Sequence, residues 1–261
     1  MIAEERRRKL LEALRKNGAL SVAAASGLLK VSRMTVHRDL DELAAGGMLR
    51  KVHGGAVAVP PSETQRDLAR SFDERAQSAA TAKQRIAEHL ARLVKGARTL
   101  ALDASTTVFH LGALLAPPAQ GESLFIITNG IPLLQELRRR DAGFRVALTG
   151  GEPHPRTGSL VGPLAVKSLE GLRFDYAVVS ATGWMQDEGT VNDSTPEGVA
   201  VKQACMARAH TKVLALDKSK LNFLAPYLLA KVEAFDLIVT EDGPEEVSKL
   251  TKRRKREVVK V

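Results

Sequence analysis

The sequence predicts an α/β protein in which a small N-terminal part of helices and a hairpin precedes a larger part with a mostly parallel sheet. Two observations carry this prediction. Over the first 59 residues, apolar side chains recur at helical spacing and then give way to two short strands around a glycine turn. After residue 98, apolar runs of strand length alternate with helical segments, which is typical of a parallel sheet covered by helices on both faces.

The N-terminal part contains three predicted helices. The first two cover residues 4–16 and 21–30, where leucine, valine and alanine recur three or four positions apart. Ser32 is a good residue to begin the third helix, because its hydroxyl can accept a hydrogen bond from a free N–H group of the first turn. One apolar stripe runs along that helix, formed by Val36, Leu40 and Leu43.

A hairpin follows the third helix. Gly46-Gly47 is predicted to end the helix, and the strands Met48–Val52 and Ala56–Val59 flank the turn His53-Gly54-Gly55. Three helices followed by such a hairpin predict a winged helix-turn-helix, a fold that places one helix in the major groove of DNA.

The outward face of the third helix and the basic hairpin form the predicted DNA-contacting surface. Arginine can hold a guanine edge with two parallel hydrogen bonds, and residues near the start of a recognition helix usually contact the bases. The hairpin is expected to meet phosphates or the minor groove. The alternative for Arg38 is an ion pair with Asp41 or Glu42, and for Arg33 a solvated surface charge. The predicted DNA-binding residues are Ser32, Arg33, Thr35, His37, Arg38, Arg50, Lys51 and His53.

The charge distribution supports a polyanionic partner for the N-terminal part. The whole chain of 261 residues carries a formal net charge of +9. Residues 1–57 contain eleven Lys and Arg against six Asp and Glu, which is +5, and the other 204 residues carry the remaining +4. The N-terminal part is therefore the more basic per residue, as expected of a segment that neutralises phosphates.

Several classes of protein are disfavoured by what the sequence lacks. Cys205 has no second cysteine with which to form an internal disulfide, and it is interpreted as core filling. The histidines at positions 110, 154 and 210 show no metal-ligand spacing, so neither a metal nor a cofactor is expected. No apolar run approaches the roughly 20 residues of a membrane span, and the start of the chain does not resemble a signal peptide. We therefore expect a cytoplasmic protein without a membrane partner.

The C-terminal part begins after a polar, proline-marked stretch. Residues 60–70 are interpreted as a linker between domains at 1–59 and 71–261. One long helix is predicted near Phe72–Lys95. Its predicted buried face consists of Ile86, Leu90 and Val94.

Six apolar runs are predicted to be strands of the parallel sheet. Several of them end in small or polar residues, and in an open α/β sheet ligands bind beyond the carboxyl ends of the strands. Those polar ends are therefore expected to converge on one pocket. The runs are Thr99–Leu102, Leu124–Thr128, Val146–Thr149, Tyr176–Ala181, Val213–Leu216 and Leu237–Thr240, and a last strand is expected at Val258–Val261.

One of these strand ends has the composition of an anion site. Asp103-Ala104-Ser105-Thr106-Thr107 lies between a predicted strand and the helix that begins near Val108. Hydroxyls and free N–H groups at the start of a helix suit a phosphate. The alternative is that Ser105 or Thr106 only caps the helix.

The motifs of both parts resemble those of the deoxyribose-operon repressor (DeoR) family. In the N-terminal part they are Val-Ser-x-x-Thr-Val-His-Arg-Asp-Leu-Asp-x-Leu at residues 31–43 and Leu-Arg-Lys-Val-His-Gly-Gly-Ala at residues 49–56. The family usually has an arginine where this chain has His37, a departure that bears on base preference. In the C-terminal part, Asp-x-Ser-Thr-Thr, Thr-Asn-Gly, Gly-Gly, Ala-Thr-Gly, Glu-Gly-Val-Ala-Val-Lys and Leu-Asp-Lys-Ser-Lys occur in the family's order.

The resemblance implies a sugar-phosphate-sensing domain that is similar to sugar-phosphate isomerases such as ribose-5-phosphate isomerase. Ala104 stands where the family commonly has glycine, which bears on how closely the backbone approaches a ligand. The resemblance implies a phosphate loop of Ser105, Thr106 and Thr107, positive charge from Lys202 and Lys220, and bonds to sugar hydroxyls from Asp103, Asn129 and Glu197. Lys202 has the alternative of lying on a solvated helix face, and Asp217 that of only capping a loop.

These observations predict a transcriptional regulator, a repressor of a carbohydrate operon that is controlled by a phosphorylated sugar or related metabolite. The strand end Ser180–Trp184 has no carboxylate, and general acid–base chemistry needs a positioned proton carrier, so no catalysis is expected. Trp184 either covers the pocket or packs in the core. One recognition helix reads few base pairs, so a dimer or tetramer is expected. The alternatives are a sugar-phosphate isomerase with an appended DNA-binding domain and a nonspecific nucleic-acid binder.

Overall fold

The structure, a computed structural model, divides into an N-terminal unit, Met1–Arg66, and a C-terminal unit, Asp67–Val261. The predicted linker at 60–70 lies outside the described residues, so the predicted domain limits stay a prediction. The described residues are 3–17, 19–45, 49–52, 54–58, 71–119, 123–140, 142–241 and 257–261.

The N-terminal unit has the helices and the hairpin that the sequence predicts, and one further strand. Ser21 caps the second helix by accepting the N–H of Ala24 at 3.1 Å, and Ser32 caps the third by accepting the N–H of Thr35 at 3.2 Å. These caps satisfy N–H groups that the first turn leaves free. The elements are α1 (Ala3–Asn17), β1 (Ala19–Ser21), α2 (Val22–Leu29), α3 (Arg33–Ala45), β2 (Leu49–Val52) and β3 (Gly55–Ala58).

The further strand, β1, makes the hairpin part of a three-stranded antiparallel sheet of order β1-β3-β2. Gly54 adopts a left-handed φ of 78°, as the turn requires, and its carbonyl accepts the N–H of Val22 at 2.9 Å. A Cβ at Gly55 would lie 2.4 Å from the carbonyl oxygen of Leu20, so only glycine allows β1 this close to β3. The hairpin is thereby bonded to the start of α2.

The predicted apolar stripe of α3 is confirmed. Val36, Leu40 and Leu43 are at most 2% exposed and share one cluster with Leu10 and Leu14 of α1. Full burial of a leucine contributes about 1.5–3 kcal/mol, so this stripe fixes which face of α3 remains outside.

The C-terminal unit is built on a parallel sheet of seven strands among its described residues, in the order β15-β14-β12-β9-β4-β5-β6. All six neighbouring pairs are parallel. Every predicted strand is present, with ends shifted by up to four residues. The strands are β4 (Thr99–Leu102), β5 (Phe125–Thr128), β6 (Arg145–Leu148), β9 (Phe174–Val179), β12 (Ala209–Ala215), β14 (Leu237–Thr240) and β15 (Glu257–Lys260).

Helices cover both faces of this sheet. Leu100 and Leu102 of β4 pack into the cluster formed with one group of helices, while Ala101 between them faces the cluster formed with the other. The alternation explains why the strands read as nearly continuous apolar runs. The helices are α4 (Phe72–Gln77), α5 (Ala80–Leu93), α6 (Thr106–Gly112), α7 (Ile131–Arg140), α8 (Pro163–Lys167) and α9 (Pro196–Met206).

The prediction of a single long helix near Phe72–Lys95 is wrong, because the structure has two helices there, α4 and α5, separated at Ser78 and Ala79. Ala79 has a left-handed backbone, φ 53° and ψ 35°, which ends the helical hydrogen-bond ladder. The predicted buried face is nevertheless confirmed, because Ile86, Leu90 and Val94 are at most 3% exposed.

A second, antiparallel sheet was not predicted. Its order is β10-β11-β13, and Asp193 at the end of β11 accepts a hydrogen bond from Thr182, which follows β9 of the main sheet. Its strands are short and partly polar, which hides them in the sequence. The remaining strands are β7 (Glu152–Pro153), β8 (Leu160–Val161), β10 (Gly183–Met185), β11 (Thr190–Asp193) and β13 (Tyr227–Lys231), and 3-10 turns lie at Lys218–Lys220 and Val232–Ala234.

Candidate functional site

The outward face of α3 is exposed and basic. Arg33, His37 and Arg38 are exposed, while the hydroxyls of Ser32 and Thr35 lie 2.9 Å apart at the helix start. A helix that buries an apolar stripe and presents basic side chains on the opposite face can enter the major groove with its basic face. The five predicted helix residues therefore lie together, although their contacts with DNA stay a prediction.

The alternative of an ion pair for Arg38 does not hold. Asp41 pairs with Lys51, and Glu42 pairs with Arg7. Across the ranges that the structure describes, neither Arg38 nor Arg33 makes an ion pair. Both guanidinium groups are therefore available to a partner from outside the chain.

Two of the predicted hairpin residues cannot be placed. His53 and the side chain of Arg50 lie outside the described residues, whereas Lys51 is exposed on β2 beside Asp41. The structure adds one residue that sequence reasoning missed. Met34 is 78% exposed on α3 between Arg33 and Thr35, where an apolar side chain can meet a thymine methyl group.

An ion pair holds α3 against α1. Asp39 is 2% exposed and accepts two hydrogen bonds from Arg6, from Nε at 2.8 Å and from Nη2 at 3.1 Å. Such a bidentate pair fixes orientation as well as distance. It sets the presentation of the exposed face of α3 from the opposite side of the helix.

A cleft in the C-terminal unit lies at the carboxyl ends of β4, β5, β9 and β12, as expected for an open α/β sheet. The empty space between its walls is about 1040 Å³, including the part that is open to solvent. Asp103 lies beneath the lining and Glu197 is exposed outside it. The other six predicted effector residues line the cleft: Ser105, Thr106, Thr107, Asn129, Lys202 and Lys220.

The anion site predicted after β4 has the expected helix start. Ser105 is the N-cap of α6 and accepts the N–H of Val108 at 3.2 Å, so the capping alternative holds for this residue. Thr106 and Thr107 are the first residues of α6 and border the cleft. The positive end of the helix dipole therefore faces the cavity, where it favours a negatively charged group.

Asp103 is committed to the protein rather than to the cavity. Its carboxylate accepts the N–H groups of Ser105 at 3.0 Å and Ser180 at 2.9 Å, and it lies 3.3 Å from Lys202 Nζ. It links the ends of β4 and β9. Its predicted bond to a sugar hydroxyl stays a prediction, and the observed contacts show a role in positioning the loop.

Lys202 does not lie on a solvated helix face. Its ammonium group donates to the carbonyl of Ser180 at 2.7 Å and to the carboxylate of Asp193, beside Asp103. Burial lowers the pKa of Lys202, but the two carboxylates outweigh that effect and hold it above the ordinary lysine value. The positive charge predicted here for a ligand is therefore already offset within the protein by two carboxylates, Asp103 and Asp193.

Asp193 brings a carboxylate to the Ser180–Trp184 strand end, a segment that has none of its own. It arrives from β11 and accepts the hydroxyl of Thr182 at 2.9 Å. Burial raises the pKa of Asp193, but Lys202 and the hydrogen bonds from Ser194 and Thr182 lower it by more, so the net pKa lies below the ordinary aspartate value. The carboxylate is thus ionised and paired, which suits a structural role better than proton transfer.

Two polar residues at other strand ends complete the floor of the cleft. Asp217 is 1% exposed and accepts the N–H of Ser219 at 3.0 Å, so the loop-cap alternative describes its contact. The amide of Asn129 donates to the carbonyl of Leu160 at 3.0 Å. Gly130 lies against Ala104, whose Cα would be 3.0 Å from an added Cβ, so the two residues limit each other's size.

Basic residues from outside the predicted motifs also line the cleft. Arg75 and Lys83 come from the α4–α5 pair, and His154 and Arg156 follow β7. Burial lowers the pKa of His154, Arg156 and Arg75 lower it further, and Glu197 partly opposes them. No motif marked these residues, because only the fold brings the helix pair and the β7–β8 loop to this edge.

Two remaining expectations concern the core. Trp184 is 1% exposed within an apolar cluster, so it packs rather than covers the cleft. Cys205 is buried, as predicted, and burial raises its thiol pKa to about 12. Within the described ranges, no helix has both the length and the apolar character needed to cross a membrane.

Comparison with known proteins assigns both units. Residues 6–61 match the DeoR-like helix-turn-helix domain, and residues 78–242 match the DeoR C-terminal sensor domain. A ribose 5-phosphate isomerase A structure from Methanocaldococcus jannaschii is 14% identical, covers 53% of each chain and has a TM-score of 0.39, a likeness too weak to support an inference.

Two curated relatives match over nearly the whole chain. The HTH-type transcriptional regulator GolR of Listeria innocua is 31% identical over 93% of this chain and 92% of its own length. The lactose phosphotransferase system repressor of Streptococcus mutans is 33% identical over 97% of this chain and 98% of its own. Both are named as regulators of transcription, which argues against the isomerase alternative. The chain is therefore a DNA-binding transcriptional regulator, not an enzyme, and belongs to the DeoR family.

Proposed function

We propose that this regulator is a repressor of a carbohydrate operon that binds operator DNA through α3 and the hairpin and is controlled by a phosphorylated sugar bound in the cleft. The observation that carries the proposal is the cleft itself. It joins the start of α6 to hydroxyl, amide and cationic groups at the carboxyl ends of four strands.

The chemistry of the cleft supports an anionic, hydroxyl-rich ligand. Its lining includes Arg156 and Lys220, together with the start of α6 and the carboxyl ends of several strands. Hydroxyls and amides such as Thr107 and Asn129 provide hydrogen-bonding groups for a polar ring. An apolar ligand would leave these groups desolvated and unpaired, at a cost of about 1–3 kcal/mol each.

The surface of α3 supports sequence-specific DNA binding. Arg33 and Arg38 are exposed near the start of the helix, and Met34 offers an apolar contact between them. A homo-oligomer, dimer or tetramer, belongs to the same proposal, because one helix of this length reads too few base pairs for an operator. Binding to chromosomal DNA requires a cytoplasmic location. The S. mutans relative, named as a lactose phosphotransferase system repressor, supports the link to carbohydrate.

A thermal-shift series tests the ligand. The full chain is heated with ribose 5-phosphate, fructose 6-phosphate, galactose 6-phosphate, their unphosphorylated parents and inorganic phosphate. A ligand at 100 times its Kd stabilises the folded state by about 2.7 kcal/mol, so a binding sugar phosphate should raise Tm while its parent does not. Equal shifts with the parent sugars, or none with any phosphorylated sugar, contradict the proposed ligand class.

A mobility-shift titration tests the DNA half of the proposal. The probe is the intergenic DNA upstream of the chain's own gene, and the competitor is a shuffled duplex of equal length. Preference for the natural sequence at several salt concentrations supports sequence-specific operator binding. Equal binding to both duplexes indicates a nonspecific nucleic-acid binder, whose affinity depends on salt alone.

A further inference from the structure

The first helix of the C-terminal unit is also a wall of the cleft. Arg75 of α4, Ser78 after it and Lys83 of α5 all line the cavity. Asp67, the first residue of this unit, precedes Phe72 by five positions. The described helix nearest in sequence to the DNA-binding unit is therefore one that a bound ligand would touch.

Among the described residues, α4 packs mainly against α6. All its residues are described, and none of them is buried. The Phe72 ring meets Phe109 edge to face with centroids 5.3 Å apart, and His110 Nε2 lies 3.3 Å from the carbonyl oxygen of Ala76. Both contacts are with α6, whose start faces the same cleft. A short element with so little buried surface opens at low free-energy cost.

The break after α4 has the features of a hinge. Ala79 occupies the left-handed region, which costs a residue with a Cβ about 1 kcal/mol or more. The last turn of α4 leaves carbonyls without helical partners. Lys83, which is 3% exposed, donates hydrogen bonds from its ammonium group to the carbonyl of Arg75 in that turn and to the carbonyl of Ser78 just after it, the latter at 2.6 Å. One buried lysine thus secures the end of the helix.

We propose that Arg75 contacts the anionic group of the effector and that α4, turning about Ala79, transmits occupancy of the cleft to the chain that leads to the DNA-binding unit. The inference rests on the function proposed above, since it assigns a regulatory residue to the same site. It requires only that the ligand favour one position of α4 over another, because a ligand shifts an equilibrium solely through such a difference.

Electrostatics supports Arg75 as the contacting residue. Arg75, His154 and Arg156 all line the cleft, and the positive charges of the two arginines oppose protonation of His154 by repulsion. An anion among them relieves that repulsion. The Arg75 guanidinium also lies 5.9 Å from the centre of the Phe72 ring, and both residues belong to α4. A ligand that displaces the Arg75 side chain therefore acts directly on this helix.

Hydrogen exchange of the full chain tests the inference. Exchange is compared with and without ribose 5-phosphate, fructose 6-phosphate or inorganic phosphate at saturation, reading residues 72–77 and 106–112 separately. With an effective probe, both segments should exchange at least about fivefold more slowly, the lower end of ordinary allosteric coupling. Arg75→Gln should lose the effect over 72–77 and keep it over 106–112. Arg75→Lys should retain part of it.

Arg85→Gln is the matched control, because Arg85 is an exposed arginine of α5 that does not line the cleft. It should behave as the wild type. Protection over 106–112 without protection over 72–77 in the wild type overturns this inference and leaves the proposed ligand class intact. Unchanged protection of α4 in Arg75→Gln also overturns it. Protection of neither segment by any probe removes the proposed function together with the inference.

Discussion

Lys202 of α9 donates a hydrogen bond to the carboxylate of Asp193 on β11, and this ion pair lies within the cleft that the effector is proposed to fill. Asp103 stands 3.3 Å from the same ammonium group. One lysine therefore pairs with two carboxylates, one that follows a strand of the main sheet and one from the smaller antiparallel sheet. The stability of the cleft and its affinity for a ligand share one set of charges.

Removal of Lys202 should destabilise the C-terminal unit at neutral pH. Lys202→Met leaves Asp103 and Asp193 buried without their cation, and breaking a buried pair costs about 3–5 kcal/mol. Because protonation removes uncompensated buried negative charge, the loss should be smaller at pH 5 than at pH 8. Urea unfolding at both pH values measures it. A loss that is equal at the two pH values contradicts this account.

The same pair predicts how wild-type stability depends on pH. The folded pKa of Asp193 is below its ordinary value, so its contribution is complete above about pH 4 and is lost as the pH falls through the folded pKa. The folded pKa of Lys202 is raised, so its contribution is complete below about pH 10 and is lost as the pH rises through the folded value. Thr182→Val, which removes one hydrogen bond to Asp193, should move the acid limb upward in unfolding curves.

Arg38 should contribute directly to operator affinity. Its guanidinium is exposed and unpaired within the described residues, so Arg38→Ala should weaken specific binding by about 1–3 kcal/mol and leave Tm unchanged. Mobility-shift titration with the upstream duplex and a shuffled duplex separates base reading from general charge. Arg85→Ala removes the same charge from α5 and serves as control. An equal loss of affinity for both duplexes would assign Arg38 to phosphate contact.

Variants of Thr106 and Ser105 should distinguish a role in ligand binding from a role in helix capping. Thr106→Val removes a hydroxyl at the border of the cleft and should abolish the response to the effector without changing DNA affinity. Ser105→Ala removes the cap of α6 and should cost about 1 kcal/mol of stability. Calorimetric titration and thermal unfolding of both variants distinguish the roles. Release of DNA by the effector from Thr106→Val would place the phosphate elsewhere.

Effector binding should depend on pH through His154. Burial and the neighbouring cations lower its pKa, and an anionic ligand raises it again, so the complex takes up a proton that the free protein lacks. Wild-type affinity should therefore rise from pH 8 to pH 6 relative to that of His154→Gln. The ligand phosphate also titrates in this range, but its effect is the same for both proteins and cancels in the ratio of their affinities. A ratio independent of pH excludes His154 from this coupling.

The main sheet was predictable because its strands carry their own signal. A strand such as Thr99–Leu102, covered on both faces, must be apolar throughout, and the polar residue after it marks the strand end. The apolar stripe of α3 was predictable for the same reason, since three leucine and valine positions define a buried face. These signals are local, and each is complete within a few residues.

The missed features depend on contacts between distant segments. No glycine or proline marks the break at Ala79, where the carbonyl bonds of Lys83 replace the helical ladder. Asp193 enters the cleft only because β11 pairs beside the strand end at Thr182. Lys202 could be placed in the cleft from its motif, but its neutralisation by two carboxylates required their positions. Sequence therefore located the cleft better than it described the charge balance within it.

The attachment of β1 to β3 limits how DNA specificity can change in this protein. The hairpin and the start of α2 are joined by a backbone bond between Val22 and Gly54, and Gly55 leaves no room for a side chain between them. A substitution that tilts the hairpin must therefore tilt the helical scaffold as well. Single mutations on the exposed face of α3 can change the bases that this helix is proposed to contact, whereas the spacing between the helices and the hairpin stays fixed by the β1–β3 attachment.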